Sequence, residues 1–187
     1  SLSLSLAGLE VAPASTLASE VIDRIGPSLP NPDPKRGGAV PNVICGNRVG
    51  VSAVNHSSGA IRGNEIVENR LCGIHVSRSS CPSIVNNLIS GPAIGIHCQI
   101  SARPVVVEND IARNRVGIKC ESGAVPSVKG NRFEANVVGV AIDSAGLGIY
   151  EKNDLTASTE CAVKVTGSET ASILYVIVSL SSLFALN

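Results

Sequence analysis

Six polar residues fall into two evenly stepped sets. His75, His97 and Lys119 follow one another at intervals of 22, and Gln99, Glu121 and Asp143 keep the same interval two positions further along the chain. If each step is one strand spacing, members of a set stack about 4.8 Å apart, with the second set about 7 Å beside the first. Such a patch holds two imidazoles that titrate near neutral pH. It also holds two neighbouring carboxylates that would raise one another's pKa, with the Lys119 ammonium working in the opposite direction. An acid beside a lysine or histidine is the equipment of general acid–base catalysis. Two histidines without a third ligand are weak grounds for a metal site. The plainer reading is a solvated sheet face whose side chains pair across strands.

Those positions inherit their spacing from a repeat running from about Asn42 to Gly167. Gly50, Gly73, Gly95, Gly117 and Gly139, each followed by Val or Ile, lie 23, 22, 22 and 22 residues apart, and Ala162-Val163 is a sixth copy. Asn42, Asn64, Asn87, Asn109, Asn131 and Asn153 keep the same beat, as do Pro82, Pro104 and Pro126, each two before an aliphatic residue. A repeat of this length is one supersecondary unit that buries its apolar side only by stacking on its neighbours. Within each copy the apolar residues alternate. Ile118 and Cys120 fall on one side and Lys119 and Glu121 on the other, as do the pairs Ile74/Val76, Ile96/Cys98 and Val140/Ile142. Ile61, Ile84, Val106, Val128 and Tyr150 mark a second inward position, and Ile44, Ile66, Ile89, Ile111, Phe133 and Leu155 a third. Short period-2 strands between Gly, Asn, Ser and Pro turns, with no helical period, predict a single-stranded right-handed parallel β-helix with coils of 22–23 residues.

The pattern Gly-[Ile/Val]-x-[Val/Cys]…Pro-x-[Ile/Val]-x-x-Asn-x-[Ile/Leu/Phe]-x-x-Asn resembles the coils of the pectin-lyase-like superfamily. It is most similar to its short-coil carbohydrate-binding and sugar-hydrolase subgroup, which includes the substrate-binding β-helix of an F-box ubiquitin-ligase subunit. The resemblance implies a right-handed coil, and it implies chemistry, where there is any, on the outer coil surface. The matching residues build the coil and do not identify a function. The catalytic signatures of polygalacturonases and alginate epimerases are missing, and so is the acidic calcium cluster of pectate lyases.

Composition narrows the partners. Net charge is zero with 15 basic and 15 acidic residues, which leaves nucleic acid no electrostatic footprint. Only 2% of residues are aromatic, too few for base stacking or for a sugar platform of rings. The absence of Met and the start at Ser1 point to an excised fragment or a processed product of a longer chain.

Three segments follow. Residues 1–38 read as a degenerate first coil at Ala7–Val11, a short capping helix over Thr16–Ile25 stopped by Gly26-Pro27, and a Pro-rich loop. Residues 39–168 are the β-helix. Residues 169–187 carry an apolar run, Ala171–Leu186, read as a cap or last strand, with a membrane anchor or non-native tail as alternatives.

The Asn column, and a second incomplete one at Asn47, Asn69, Asn114 and Asn136 interrupted at Gly91, reads as structural, since stacked amides satisfy one another and the turn backbone. Cys98 and Cys120 read as small core residues. Cys45, Cys72, Cys81 and Cys161 have no metal-ligand spacing, so neither a metal nor a cofactor is expected. Six unpaired cysteines favour a reducing, cytoplasmic compartment, and the sequon Asn55-His56-Ser57 an extracellular one.

Two functions are carried forward. The first is a non-catalytic scaffold presenting a flat sheet face, with His75, His97, Gln99, Lys119, Glu121 and Asp143, to a protein or glycan. The second is a small lyase, epimerase or hydrolase of acidic polysaccharides using His75, His97, Lys119, Glu121 and Asp143. Short coils with few long loops leave little material for a deep cleft.

Overall fold

The computed structural model describes residues 41–143 and 145–167, together with the backbone of four short strands before them. The proposed helix over Thr16–Ile25 and the apolar run 171–186 lie outside the described residues. Within them the chain winds into a parallel β-solenoid. Each of the five complete coils contributes one strand to each of three sheets, and the flanking coil at either end contributes to two of them.

The front sheet stacks Leu9–Val11, Val49–Ala53, Cys72–Val76, Ile94–Cys98, Val116–Cys120, Val138–Asp143 and Cys161–Thr166. A second sheet runs from Ala60–Arg62 through Ser83–Val85, Val105–Val107 and Ser127–Lys129 to Ile149–Glu151. The third runs from Ser3–Leu4 and Val43–Cys45 through Glu65–Val67, Leu88–Ser90, Asp110–Ala112 and Arg132–Glu134 to Asp154–Ala157. All these pairings are parallel; Leu29–Pro30 and Ala39–Val40 form a separate antiparallel pair. Like residues sit over like, with Ile96 paired to Ile74 and Ile118, and Ile89 to Ile66 and Ile111.

The three inward positions fill the bore. Ile61, Ile84, Val106, Val128, Ile66, Ile89, Ile111, Phe133, Ile74, Ile96 and Ile118 are fully buried in one cluster. Each such side chain contributes about 1.5–3 kcal/mol when removed from water. The glycine line is a packing requirement. A Cβ on Gly50, Gly73, Gly95 or Gly117 would stand 2.5–2.8 Å from the carbonyl oxygen of the next glycine, which is backbone and has nowhere to go.

The asparagine column holds one of the turns. Asn42, Asn64, Asn87, Asn109 and Asn131 each donate Nδ2–H to Oδ1 of the next asparagine, at 2.9–3.2 Å, ending on Asn153. The same Oδ1 atoms accept the backbone N–H of the preceding coil, as from Asn87 and Asn109 at 2.9 Å. The second column repeats this from Asn114 to Asn136, and it breaks at Gly91-Pro92. In both columns the residue before the asparagine is left-handed from the second coil onward, at Gly63, Glu68, Asn86, Glu108, Arg113, Gly130, Ala135 and Lys152, with φ of 52–64°. The amide fixes the turn strongly enough that this conformation need not be glycine.

Candidate functional site

The front sheet places the two predicted sets on its outer face. His75, His97 and Lys119 are direct strand neighbours, paired His75 to His97 and His97 to Lys119. The imidazole centroids of His75 and His97 are 5.8 Å apart and tilted by 49°. Gln99, Glu121 and Asp143 stand beside them, so all six residues meet in one patch.

Contacts within the patch run diagonally. The side chain of one coil leans to the second-set residue of the next, 24 positions on. Gln99 Nε2 donates to His75 Nε2 at 2.8 Å, and His97 Nε2 donates to Glu121 Oε1 at 2.8 Å. Lys119 Nζ lies 2.6 Å from Glu121 Oε2 and 3.7 Å from Asp143 Oδ2. With Nε2 of His75 accepting, its proton sits on Nδ1, facing Ser52 Oγ at 3.4 Å.

The titration behaviour follows from these partners. Burial, then the nearby His97 and Arg78, hold the His75 imidazole below its ordinary value of 6.5. Burial alone would raise the Glu121 carboxyl, yet hydrogen bonds and charge from Lys119 and His97 outweigh it and bring Glu121 below its ordinary value. The expected mutual elevation of the two acids is therefore not the outcome at Glu121, because Lys119 sits between the carboxylates. Lys119 is raised, chiefly by its hydrogen bond to Glu121.

The second set does not run the length of the face. The corresponding positions of the two preceding coils, Val54 and Ser77, are buried, so this row becomes exposed and polar only at Gln99. One row escapes the alternation altogether. Val49, Cys72, Ile94, Val116, Val138 and Cys161 immediately precede the glycine or alanine of each copy. The last four pack with Ala141 into a second apolar cluster on the outer side of the sheet. The alternation that exposes the polar columns breaks at the glycine, so period-2 reasoning assigns this row wrongly. Its regular spacing and uniformly apolar character are the signal that could have found it.

This row floors a shallow groove of about 440 Å³ beside the patch, within the usual range for ligand sites. Arg115, Val137 and Glu160 rim it on the turn side, and Lys119, Lys164, Asp143 and Thr166 on the strand side.

Among the described residues no group of three or more His, Cys, Asp or Glu could hold a metal ion, and no helix is long and apolar enough to cross a membrane. All six cysteines are free thiols. Burial pushes Cys72 up to about 12 and Cys120 to about 11, and Cys98 well above its ordinary value. None of these three offers a thiolate nucleophile near neutral pH.

No curated protein and no solved structure matches the chain. A family model described as the right handed beta helix region matches residues 39–176. A line of stacked glycines, a buried asparagine ladder and parallel coils of 22–23 residues thus stand together with that match, and the chain belongs to the right-handed β-helix family.

Proposed function

We propose that this protein is a non-catalytic β-helix scaffold that presents its front sheet to a protein or glycan partner. His75, His97, Gln99, Lys119, Glu121 and Asp143 are the contact residues. One observation carries the reading: the ionisable groups of the patch are engaged with one another, Lys119 with Glu121 and Asp143, and His97 with Glu121. A general acid or base works best with its pKa near the operating pH. Here Glu121 moves below its ordinary 4.5, and Lys119 above its ordinary 10.5. That shift suits a fixed polar surface, because ion-paired side chains keep their geometry and their charge. The likeness of the coil pattern to pectin-lyase-like carbohydrate-binding modules, and to the substrate-binding β-helix of an F-box subunit, supports the same reading. The balanced charge supports a partner other than nucleic acid. Membrane attachment enters only if the run 171–186 acts as an anchor.

A second reading rests on the contact of His97 and Lys119 with the same carboxylate. This is the grouping a polysaccharide lyase, epimerase or hydrolase would use, with His75 and Asp143 as neighbours. The test is a screen for cleavage or epimerisation of acidic polysaccharides, repeated with Lys119→Ala and Glu121→Ala. The scaffold reading expects no turnover by any of the three proteins. Turnover that both substitutions abolish would replace it with the enzyme.

A further inference from the structure

We infer that the groove beside the patch binds an extended peptide segment carrying aliphatic and acidic side chains. This rests on the scaffold reading and names the class of its partner. Three features of the groove select the ligand.

The floor is aliphatic. Ile94, Val116, Val138 and Ala141 form an apolar cluster on the water side of the sheet, separate from the core of the solenoid, and Val137 on the rim is 38% exposed. A soluble surface gains by covering such a row with apolar groups. No aromatic residue lines the groove, so the ring platform on which sugars stack is missing.

The rim carries uncommitted positive charge. Three cations and two acids line the groove, and Lys119 is already engaged by Glu121 and Asp143. Arg115 and Lys164 stand on opposite rims, and neither has an ion-pair partner among the described residues. With Glu121 included, three cations and three acids surround the groove and balance, so Arg115 and Lys164 meet an incoming carboxylate as two local cations rather than as a net positive field. Arg115 favours this partner in particular, since its planar fork matches a carboxylate.

The shape suits a chain. The lining steps across four successive strands, Ile94–Cys98 to Cys161–Thr166, so the groove runs along the solenoid axis for about 14 Å at the usual strand spacing. That length holds about four residues of extended peptide. Apolar side chains of the peptide fill the floor, and its carboxylates meet Arg115 and Lys164.

The experiment measures binding of a fluorescent decapeptide alternating leucine and glutamate. A leucine-to-serine version, a glutamate-to-lysine version and an oligogalacturonate are assayed in parallel. The expected result is saturable binding of the first peptide only. Arg115→Ala and Lys164→Ala should each weaken it by about fivefold or more, as should Val137→Ser, whereas Glu160→Gln strengthens it. Lys129→Ala, on the second sheet, leaves it unchanged. All substituted side chains are exposed, so folding is retained. The inference is overturned if the leucine/glutamate peptide does not bind, if the serine version binds equally well, or if the Arg115 and Lys164 variants bind as wild type does. Preference for the oligogalacturonate without turnover would also overturn it, while leaving the scaffold reading intact; turnover would remove that reading as well.

Discussion

Two columns of polar side chains climb this solenoid at the same interval, and they behave as opposites. The asparagine column between the second and third sheets is chemically uniform and nearly all buried. Each amide there has its partners defined by its own copy in the next coil. The column on the front sheet passes through Ser52, His75, His97, Lys119, Ala141 and Lys164, and its hydrogen bonds and ion pairs go to residues of other types. They run diagonally to the next coil from His75, His97 and Lys119, and along the strand from Lys119 to Glu121. Uniformity marks the column that serves the backbone, because every coil poses the same hydrogen-bonding problem. Variety marks the column that faces water, where each coil is free to differ. A repeat protein thus separates structural from surface positions by how monotonous they are.

Substitutions can break this contrast from either side. The largest effect belongs to Asn109→Ala. Asn109 donates to the Ile84 and Val107 carbonyls and to Asn131, and it accepts from both Asn87 nitrogens. Its loss strands buried donors and acceptors, and the expected cost is about 3–5 kcal/mol, read from urea unfolding. A cost below about 1 kcal/mol would mean that the column is ornamental.

Acidification is next. His75 has a folded pKa below its unfolded value, so the unfolded chain takes up the extra proton as pH falls below about 6.5. Stability is therefore full above that pH and declines beneath it. Glu121, also lowered, extends the decline below about 4.5. Melting temperatures measured from pH 7.5 to 4 should fall monotonically, and His75→Gln should flatten the upper part of the curve. A melting temperature that rises on acidification contradicts the assignment of His75 as a neutral acceptor.

Glu121→Ala should cost about 1 kcal/mol or less, because His97 and Lys119 remain within reach of water. Equal losses for Glu121→Ala and Asn109→Ala would erase the distinction between the columns. The smallest effect is expected at Ala135→Gly. Ala135 holds φ at 52°, and glycine relieves a left-handed strain of about 1–2 kcal/mol while adding freedom to the unfolded chain. The net should be a stabilisation of under about 1 kcal/mol; a clear loss would show that the Ala135 methyl contributes packing of its own.

The sequence made the coil legible because its physics is local and repeated. Each glycine meets the next glycine's carbonyl and each asparagine meets the next asparagine, so spacing alone locates them. The six patch residues were legible for the same reason. Their contacts were less so: side chains lean along the strand, and His97 reaches Glu121 while also stacking near His75. The lowered pKa of Glu121 needed the position of the Lys119 ammonium, which no spacing supplies. The apolar row of Ile94, Val116 and Val138 was hidden because the backbone irregularity at each glycine interrupts the alternation used to assign faces.

The side-chain amides of the asparagine column all point one way. From Asn64 to Asn131, Oδ1 accepts from the asparagine of the coil before and Nδ2 donates to that of the coil after. Their aligned dipoles reinforce one another, and they give the rod a chemical direction. A coil inserted within the ladder would continue the same chain of amides, while a coil run in reverse would set donor against donor and acceptor against acceptor.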